Sequence, residues 1–318
     1  TMPNRYSNYT QPAKSYKKYL NLKIVRINIP NHNNNFLDQI FSFSKYFYEV
    51  KKMTKKYKFD LVFASSSRLF TAYLGSHIAK KNNSFLYLDI RDIFVDTLND
   101  LLKNKFFKFF IINIVKFFER KTFSNADHIN LISKGFNDYF KKYKYPTYSN
   151  FSNGIDKQFL NVKSDLKDSR IKIITYAGNI GAGQGLHKII PEAAKLLENN
   201  FRFKIVGSGS YKNKLIDKIN ELNLDNVELI NPVDRKTLES IYLESHYLFL
   251  HLNNYNSFKK VLPSKIFELG SYPQPLIAGV SGFAKEFISN NLSNFILFNP
   301  CDTESFVKQI IAHKYKHY

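Results

Sequence analysis

The chain of 318 residues has a single cysteine, Cys301. One thiol excludes an internal disulfide and fits a reducing compartment. The sequence shows no charged-then-apolar leader and no uninterrupted apolar run near the ~20 residues of a membrane span. The expectation is a cytoplasmic protein, soluble or peripheral on the inner face of the cell membrane. No internal repeat is visible. None of the eight histidines stands at a metal-ligand spacing, so they read as structural or surface groups and no metal is expected. Carboxylates are scarce as well: 26 Asp+Glu stand against 47 Lys+Arg, a formal net charge of +21.

That charge is unevenly spread. Residues 1–160 hold 27 Lys+Arg against 11 Asp+Glu, whereas residues 161–318 hold 20 against 15. A basic half beside a near-neutral half points to an anionic surface, nucleic acid or membrane. Biased base composition also raises Lys, but it acts on both halves alike. Lys51, Lys52, Lys55 and Lys56 lie in the densest run, so replacing them with Gln is expected to reduce binding to anionic vesicles.

The first half alternates strand and helix patterns. Residues 22–29 read as a strand, 36–57 as a helix, 60–64 as a buried strand, 84–90 as the next strand leading to Arg91 and Asp92, and 128–133 as another. Residues 141–148 read as a basic loop. This is the βαβ alternation of a parallel sheet. Residues 101–123 combine seven phenylalanines with six basic residues. Such a helix either lies in a membrane interface or packs one side into the core with its Lys stems snorkelling. Residues 163–170 are a polar linker, which separates a first domain over 1–160 from a second over 161–318.

The second domain restarts with a buried strand over 171–177, which runs into Gly178-Asn179-Ile180-Gly181-Ala182-Gly183-Gln184-Gly185 and then a helix from Leu186. Glycines at a strand-to-helix turn let backbone N–H groups approach a phosphate. Their spacing is not G-x-G-x-x-G, so a dinucleotide dehydrogenase is disfavoured. A second strand over 203–206 ends in Gly207-Ser208-Gly209.

The most informative stretch is 257–279. Pro263 suits a first helical position, and the short helix over 264–269 is expected to end at Gly270 in a left-handed cap. Pro273 and Pro275 block continuation, and residues 275–278 read as a buried strand. A helix N-terminus suits an anion, and Lys265 adds a full charge beside it. Glu268, one turn on, can accept hydrogen bonds from two neighbouring hydroxyls, as an acidic residue does on a ribose. Phosphate and sugar hydroxyls side by side indicate a nucleotide. The alternative is a capped surface helix with a solvated Lys and Glu.

The run Pro263-Ser264-Lys265-Ile266-Phe267-Glu268, with its following proline-led strand, resembles the nucleotide-sugar site of retaining glycosyltransferases of family 4. That resemblance implies the GT-B fold, two Rossmann-like domains facing across a cleft. It also implies transfer of a sugar from a UDP-sugar or other nucleoside diphosphate sugar to a saccharide or lipid-linked acceptor in surface polysaccharide synthesis. Glu268 would hold the ribose. Lys260 stands where many members carry a second Glu near the donor sugar. Gly178, Asn179, Gly181, Gly183 and Gln184 match the family's diphosphate turn, with the neutral Asn179 and Gln184 where many members place Arg and Lys; Gly207 and Ser208 match its second turn. Pro263, Ser264 and Lys265 complete the donor site. Arg91 and Asp92 match a pair that addresses sugar or acceptor, although a structural ion pair would explain them too. No cofactor and no nucleic acid partner are implied.

A nucleotide-sugar 2-epimerase of the same fold, or an inactive fragment that only binds nucleotide, remains the alternative. Residues 1–4 resemble the loop after the family's second strand. The first domain is therefore expected to lack its first strands and to expose strand edges at 22–29 and 60–64.

Overall fold

The structure, a computed structural model, describes residues 14–29, 36–66, 68–102, 104–159 and 169–313. Its elements begin with β1 (Tyr16–Tyr19), β2 (Leu22–Val25), α1 (Phe36–Thr54), β3 (Leu61–Ser66), α2 (Leu69–Asn82) and β4 (Phe85–Ile90). Next come α3 (Phe94–Leu101), α4 (Lys105–Phe123), β5 (His128–Leu131), α5 (Asn137–Phe140) and β6 (Thr147–Ser149). The rest comprises β7 (Lys172–Asn179), α6 (Leu186–Leu196), β8 (Phe201–Ser208), α7 (Lys212–Glu221), β9 (Val227–Ile230), α8 (Arg235–Leu243) and β10 (Tyr247–His251). It closes with α9 (Lys265–Leu269), β11 (Leu276–Gly279), α10 (Phe283–Asn291), β12 (Phe295–Phe298) and α11 (Thr303–Ala312). The chain divides into two compact units. The first comprises residues 1–95, 109–130 and 142–149, and the second 96–108, 131–141 and 150–318.

The first unit holds a four-stranded sheet in the order β3-β4-β5-β6. Its inner face packs on α2, so closely that a Cβ at Gly75 would come within 2.7 Å of the Ala64 Cβ. The opposite face carries exposed Leu61, Phe63 and Phe85. Phe63, Tyr87 and His128 stack across it with ring centroids 5.2 and 4.7 Å apart. Polar side chains bridge the same strands: Ser65 Oγ donates to Asp89, Asn130 Nδ2 donates to Asp89, and Ser149 Oγ donates to Asn130.

Two elements differ from the sequence pattern. Strand β2 stops at Val25 and pairs antiparallel with β1, outside the four-stranded sheet; the turn between them places Leu20 at positive φ. The basic loop expected over 141–148 instead leads into β6. The His128 ring meets Thr147 Oγ1 and Ser149 Oγ at 2.7 and 2.9 Å, long-range contacts that local sequence does not display.

The second unit is one six-stranded parallel sheet, ordered β12-β11-β10-β7-β8-β9. Its first strand is therefore central, with the later strands added on either side, the doubly wound order 3-2-1-4-5-6. Both faces are buried, which explains the near-continuous apolar runs of its strands. Ile174, Phe203, Ile205, Tyr247 and Phe249 pack against α6 residues Ile189, Ile190 and Ala193 on one face. On the other face Leu248, Leu250 and Ala278 pack against Ile266, Leu269, Ala284 and Ile288.

Candidate functional site

A doubly wound sheet leaves a crevice where its order reverses, because the segments leaving two adjacent strands run to opposite faces. Here the reversal lies between β7 and β10. The glycine turn 178–185 follows β7, and the segment 252–265 follows β10, so topology alone brings the two sequence motifs to one crevice of the second unit.

Each glycine of the turn answers a local demand. Gly178 and Gly207 are register partners on β7 and β8, with φ of +156° and +149°. A Cβ at Gly207 would fall 1.9 Å from the Gly178 carbonyl oxygen. Asn179 Nδ2 donates to Gln184 Oε1 at 2.8 Å, closing the turn over Gly181. Gly183 lies under the Phe258 ring, 3.1 Å from where a Cβ would stand. Ser208 ends β8, and its carbonyl accepts the Ile180 N–H at 2.9 Å.

Two buried residues clamp this turn: His251, a structural histidine as expected, and Asn253, which no motif indicated. Asn253 donates through its backbone N–H to Gly183 O at 2.7 Å and through Nδ2 to Ala182 O at 2.8 Å, and its Oδ1 accepts from Lys188 Nζ at 3.1 Å. His251 is fully buried at the end of β10. Its Nδ1 contacts Gln184 O at 2.6 Å, and its Nε2 accepts the Cys301 N–H at 2.9 Å. Accepting at Nε2 leaves the ring proton on Nδ1, so the neutral tautomer is fixed. Burial is the main cause that pushes its pKa down to about 4. A polar residue ending an otherwise apolar strand was the one available sequence signal for either residue.

In the 257–279 stretch, α9 begins at Lys265 after Pro263 and Ser264. It has five residues, too short for a substantial macrodipole, so Lys265 itself supplies the positive charge. Lys265 Nζ lies 3.1 Å from both Glu268 oxygens and 3.3 Å from the Tyr242 hydroxyl. The Lys265 and Glu268 side chains are 31% and 22% exposed, so this ion pair is partly sheltered yet reachable. Tyr242 is buried, and burial first, then the Glu268 charge, pushes its pKa up; its hydroxyl is a neutral partner for the lysine. Gly270 corrects the expected left-handed cap, for its φ is −72°. Glycine is required there by close packing instead, since a Cβ would come within 2.8 Å of Ile266 O and Leu292.

Lys260 Nζ reaches Asp96 Oδ2 at 2.6 Å and lies 5.4 Å from the Tyr139 ring centroid. Asp100 accepts the Ser257 N–H at 2.8 Å, so α3 supplies two carboxylates to this segment that no spacing rule indicated. Arg91 follows β4 in the first unit, and its guanidinium reaches Asp89 at 3.4 Å; Asp92 is half-buried beside it. Among the described residues, no group of three or more His, Cys, Asp or Glu side chains could hold a metal ion. Likewise no helix among them is long and apolar enough to cross a membrane.

Residues 157–313 match the family described as glycosyl transferases group 1. The chain is 27% identical over 226 residues to an Escherichia coli K12 protein named as colanic acid biosynthesis glycosyl transferase WcaI. The match spans 67% of the chain and 55% of that relative's length. Among solved structures, sucrose-phosphate synthase of Thermosynechococcus elongatus has a TM-score of 0.70 at 14% identity, covering 94% of this chain and 76% of its own. HepE of Anabaena, solved with UDP and glucose, has a TM-score of 0.63 at 14% identity, covering 88% and 74%. These likenesses establish an α/β fold of the GT-B class, with parallel sheets in Rossmann-like units.

Proposed function

We propose that the protein transfers a sugar from a nucleoside diphosphate sugar, UDP-linked by analogy with HepE, to a saccharide acceptor, with retention at the anomeric carbon. The observation that carries this reading is the Lys265–Glu268 pair beside the switch-point crevice. Separating the pair offers an ammonium to a diphosphate and a carboxylate to ribose hydroxyls. In the proposed reaction the bond from the sugar to the diphosphate oxygen breaks, its electron pair leaving with the phosphate. The acceptor oxygen bonds to the same face, and its proton passes to the departing phosphate. Lys265 and the amides of the turns around Gly178, Gly181, Gly183 and Gly207 meet the developing charge, so the proposal includes no metal. Asn179, Gln184 and Ser208 donate or shape those turns. Arg91 and Asp92 address the sugar or acceptor, and Lys260, held by Asp96, stands near the donor sugar.

The acceptor is read as a saccharide of surface polysaccharide synthesis, lipid-linked and met at the inner face of the membrane. Supporting this, α4 exposes Phe106, Phe107, Phe109, Phe110 and Phe117 to solvent. Lys105, Lys116 and Arg120 are exposed on the same helix. That is the composition of a helix seated at a lipid interface.

A thermal-shift screen over nucleoside diphosphate sugars tests the donor reading. At a hundredfold excess over Kd the preferred donor should stabilise by about 2.7 kcal/mol, a rise of several degrees. Product NMR with that donor should show the anomeric configuration kept. No stabilisation by any donor, or an inverted product, overturns the corresponding half of the proposal.

A further inference from the structure

The C-terminal ends of α1 and α2 flank an open cavity of about 270 Å³ lined by exposed lysines. It lies at the N-terminal edge of the first unit's sheet, because α1 leads into β3 and α2 into β4. Arg91 and Asp92 follow the opposite, C-terminal edge, where substrates of α/β sheets bind. Lys51, Lys55, Lys56 and Lys58 line the cavity from the α1 side, and Lys81 and His77 from α2.

Basic residues at helix C-termini commonly answer the partial negative charge there. Five lysines around one cavity exceed that need. No carboxylate among the described residues lines the cavity. Among the described residues none of the five lysines forms an ion pair. The buried His77 Nε2 has no hydrogen-bond partner among the described residues. Like charges gathered without counter-charge repel one another, and a multiply charged anion would relieve that repulsion while accepting their N–H groups.

We propose that this cavity is a second anion site, which takes a phosphomonoester or diphosphate group. Its volume falls below the ~300–1,000 Å³ of pockets for drug-sized ligands, which suits a small headgroup rather than a whole nucleotide sugar. Burial and then the charges of Lys51, Lys81 and Lys121 hold the His77 pKa down. A bound dianion reverses that field, so the His77 ring reports occupancy directly. The site is independent of the proposed sugar transfer.

The test is an imidazole NMR titration of the full chain with inorganic diphosphate at constant ionic strength, with His77 assigned by His77→Asn. A saturable shift of the His77 resonance is expected. The triple variant Lys51→Gln, Lys55→Gln, Lys81→Gln should weaken it by about tenfold or more, while the triple Lys→Arg variant retains it. UDP affinity, which reads the Lys265 site, should be unchanged by either set. Vesicles of phosphatidylcholine with phosphatidic acid, compared with equally charged phosphatidylglycerol, separate the sources. Preference for phosphatidic acid that the Gln variant abolishes assigns a lipid headgroup, and saturable diphosphate binding without that preference assigns a soluble phosphate. A His77 signal that does not move, that moves equally with chloride, or that titrates alike in the Gln variant overturns the site.

Discussion

Lys265 holds Glu268 through both carboxylate oxygens, so an anion taken by the lysine competes with that carboxylate and with the Tyr242 hydroxyl for its three donors. The two substitutions should therefore have different signatures. Glu268→Gln removes a charged acceptor for ribose hydroxyls, worth about 1.5–3 kcal/mol, and should weaken a nucleoside by roughly tenfold to a hundredfold. It also releases Lys265, so inorganic diphosphate should bind no worse than in the parent. Lys265→Ala should weaken UDP far more than uridine. Calorimetric titrations giving equal losses for uridine and UDP in Lys265→Ala, or undiminished uridine binding in Glu268→Gln, would count against this division of roles. Pro263, Lys265 and Glu268 were legible because proline, charge and spacing within one turn are local facts. Tyr242, Asp96 and Asp100 were not, since each reaches the site from a distant segment through the tertiary fold. Gly178 and Gly207 were legible as glycines, but their reason, the approach of two strands, requires the sheet register.

At the scale of elements, His251 and Asn253 lock the turn after β7 to the end of β10, and His251 ties both to the loop at Cys301. Because the His251 pKa lies at about 4 in the fold and near ~6.5 in the unfolded chain, the unfolded chain binds the extra proton between these values. Stability is therefore whole above about pH 6.5 and falls as the pH drops toward 4, by on the order of 3 kcal/mol from this ring. His77, His187 and His313 are lowered too, chiefly by burial, and act with the same sign. Denaturant midpoints at pH 7.5, 6, 5 and 4 should trace this decline, and His251→Gln should flatten it while lowering the midpoint at pH 7.5. A midpoint independent of pH over this range would refute the buried neutral ring. The elements themselves divide along the same line as the residues. Strands β7, β8 and β11 were legible because burial on both faces demands apolar runs. Strand β2 was legible within 22–29, but its pairing with β1 was not, and neither was β6, because such pairing depends on partners that local pattern does not name.

Over the whole molecule, charge and aromatic exposure concentrate in the same half of the sequence. Residues 1–160 carry the excess of Lys and Arg, and α4 presents its five exposed phenylalanines there with its other side anchored by buried Ile112, Val115 and Phe123. The buried side bears out the core reading of this helix, and the lipid-interface reading is our proposal for its exposed side. Charge alone would give an attraction that salt abolishes within a Debye length of ~8 Å at physiological ionic strength. Rings inserted below the headgroups add a salt-insensitive part proportional to apolar area. Co-sedimentation with anionic vesicles should accordingly fall with rising salt to a plateau above zero. Phe106→Ser with Phe109→Ser and Phe117→Ser should remove the plateau and leave the low-salt binding largely in place, since those side chains are exposed and their loss costs little stability. Binding that vanishes in high salt for the parent protein, or a plateau that survives the triple change, would mean that α4 does not enter the lipid surface.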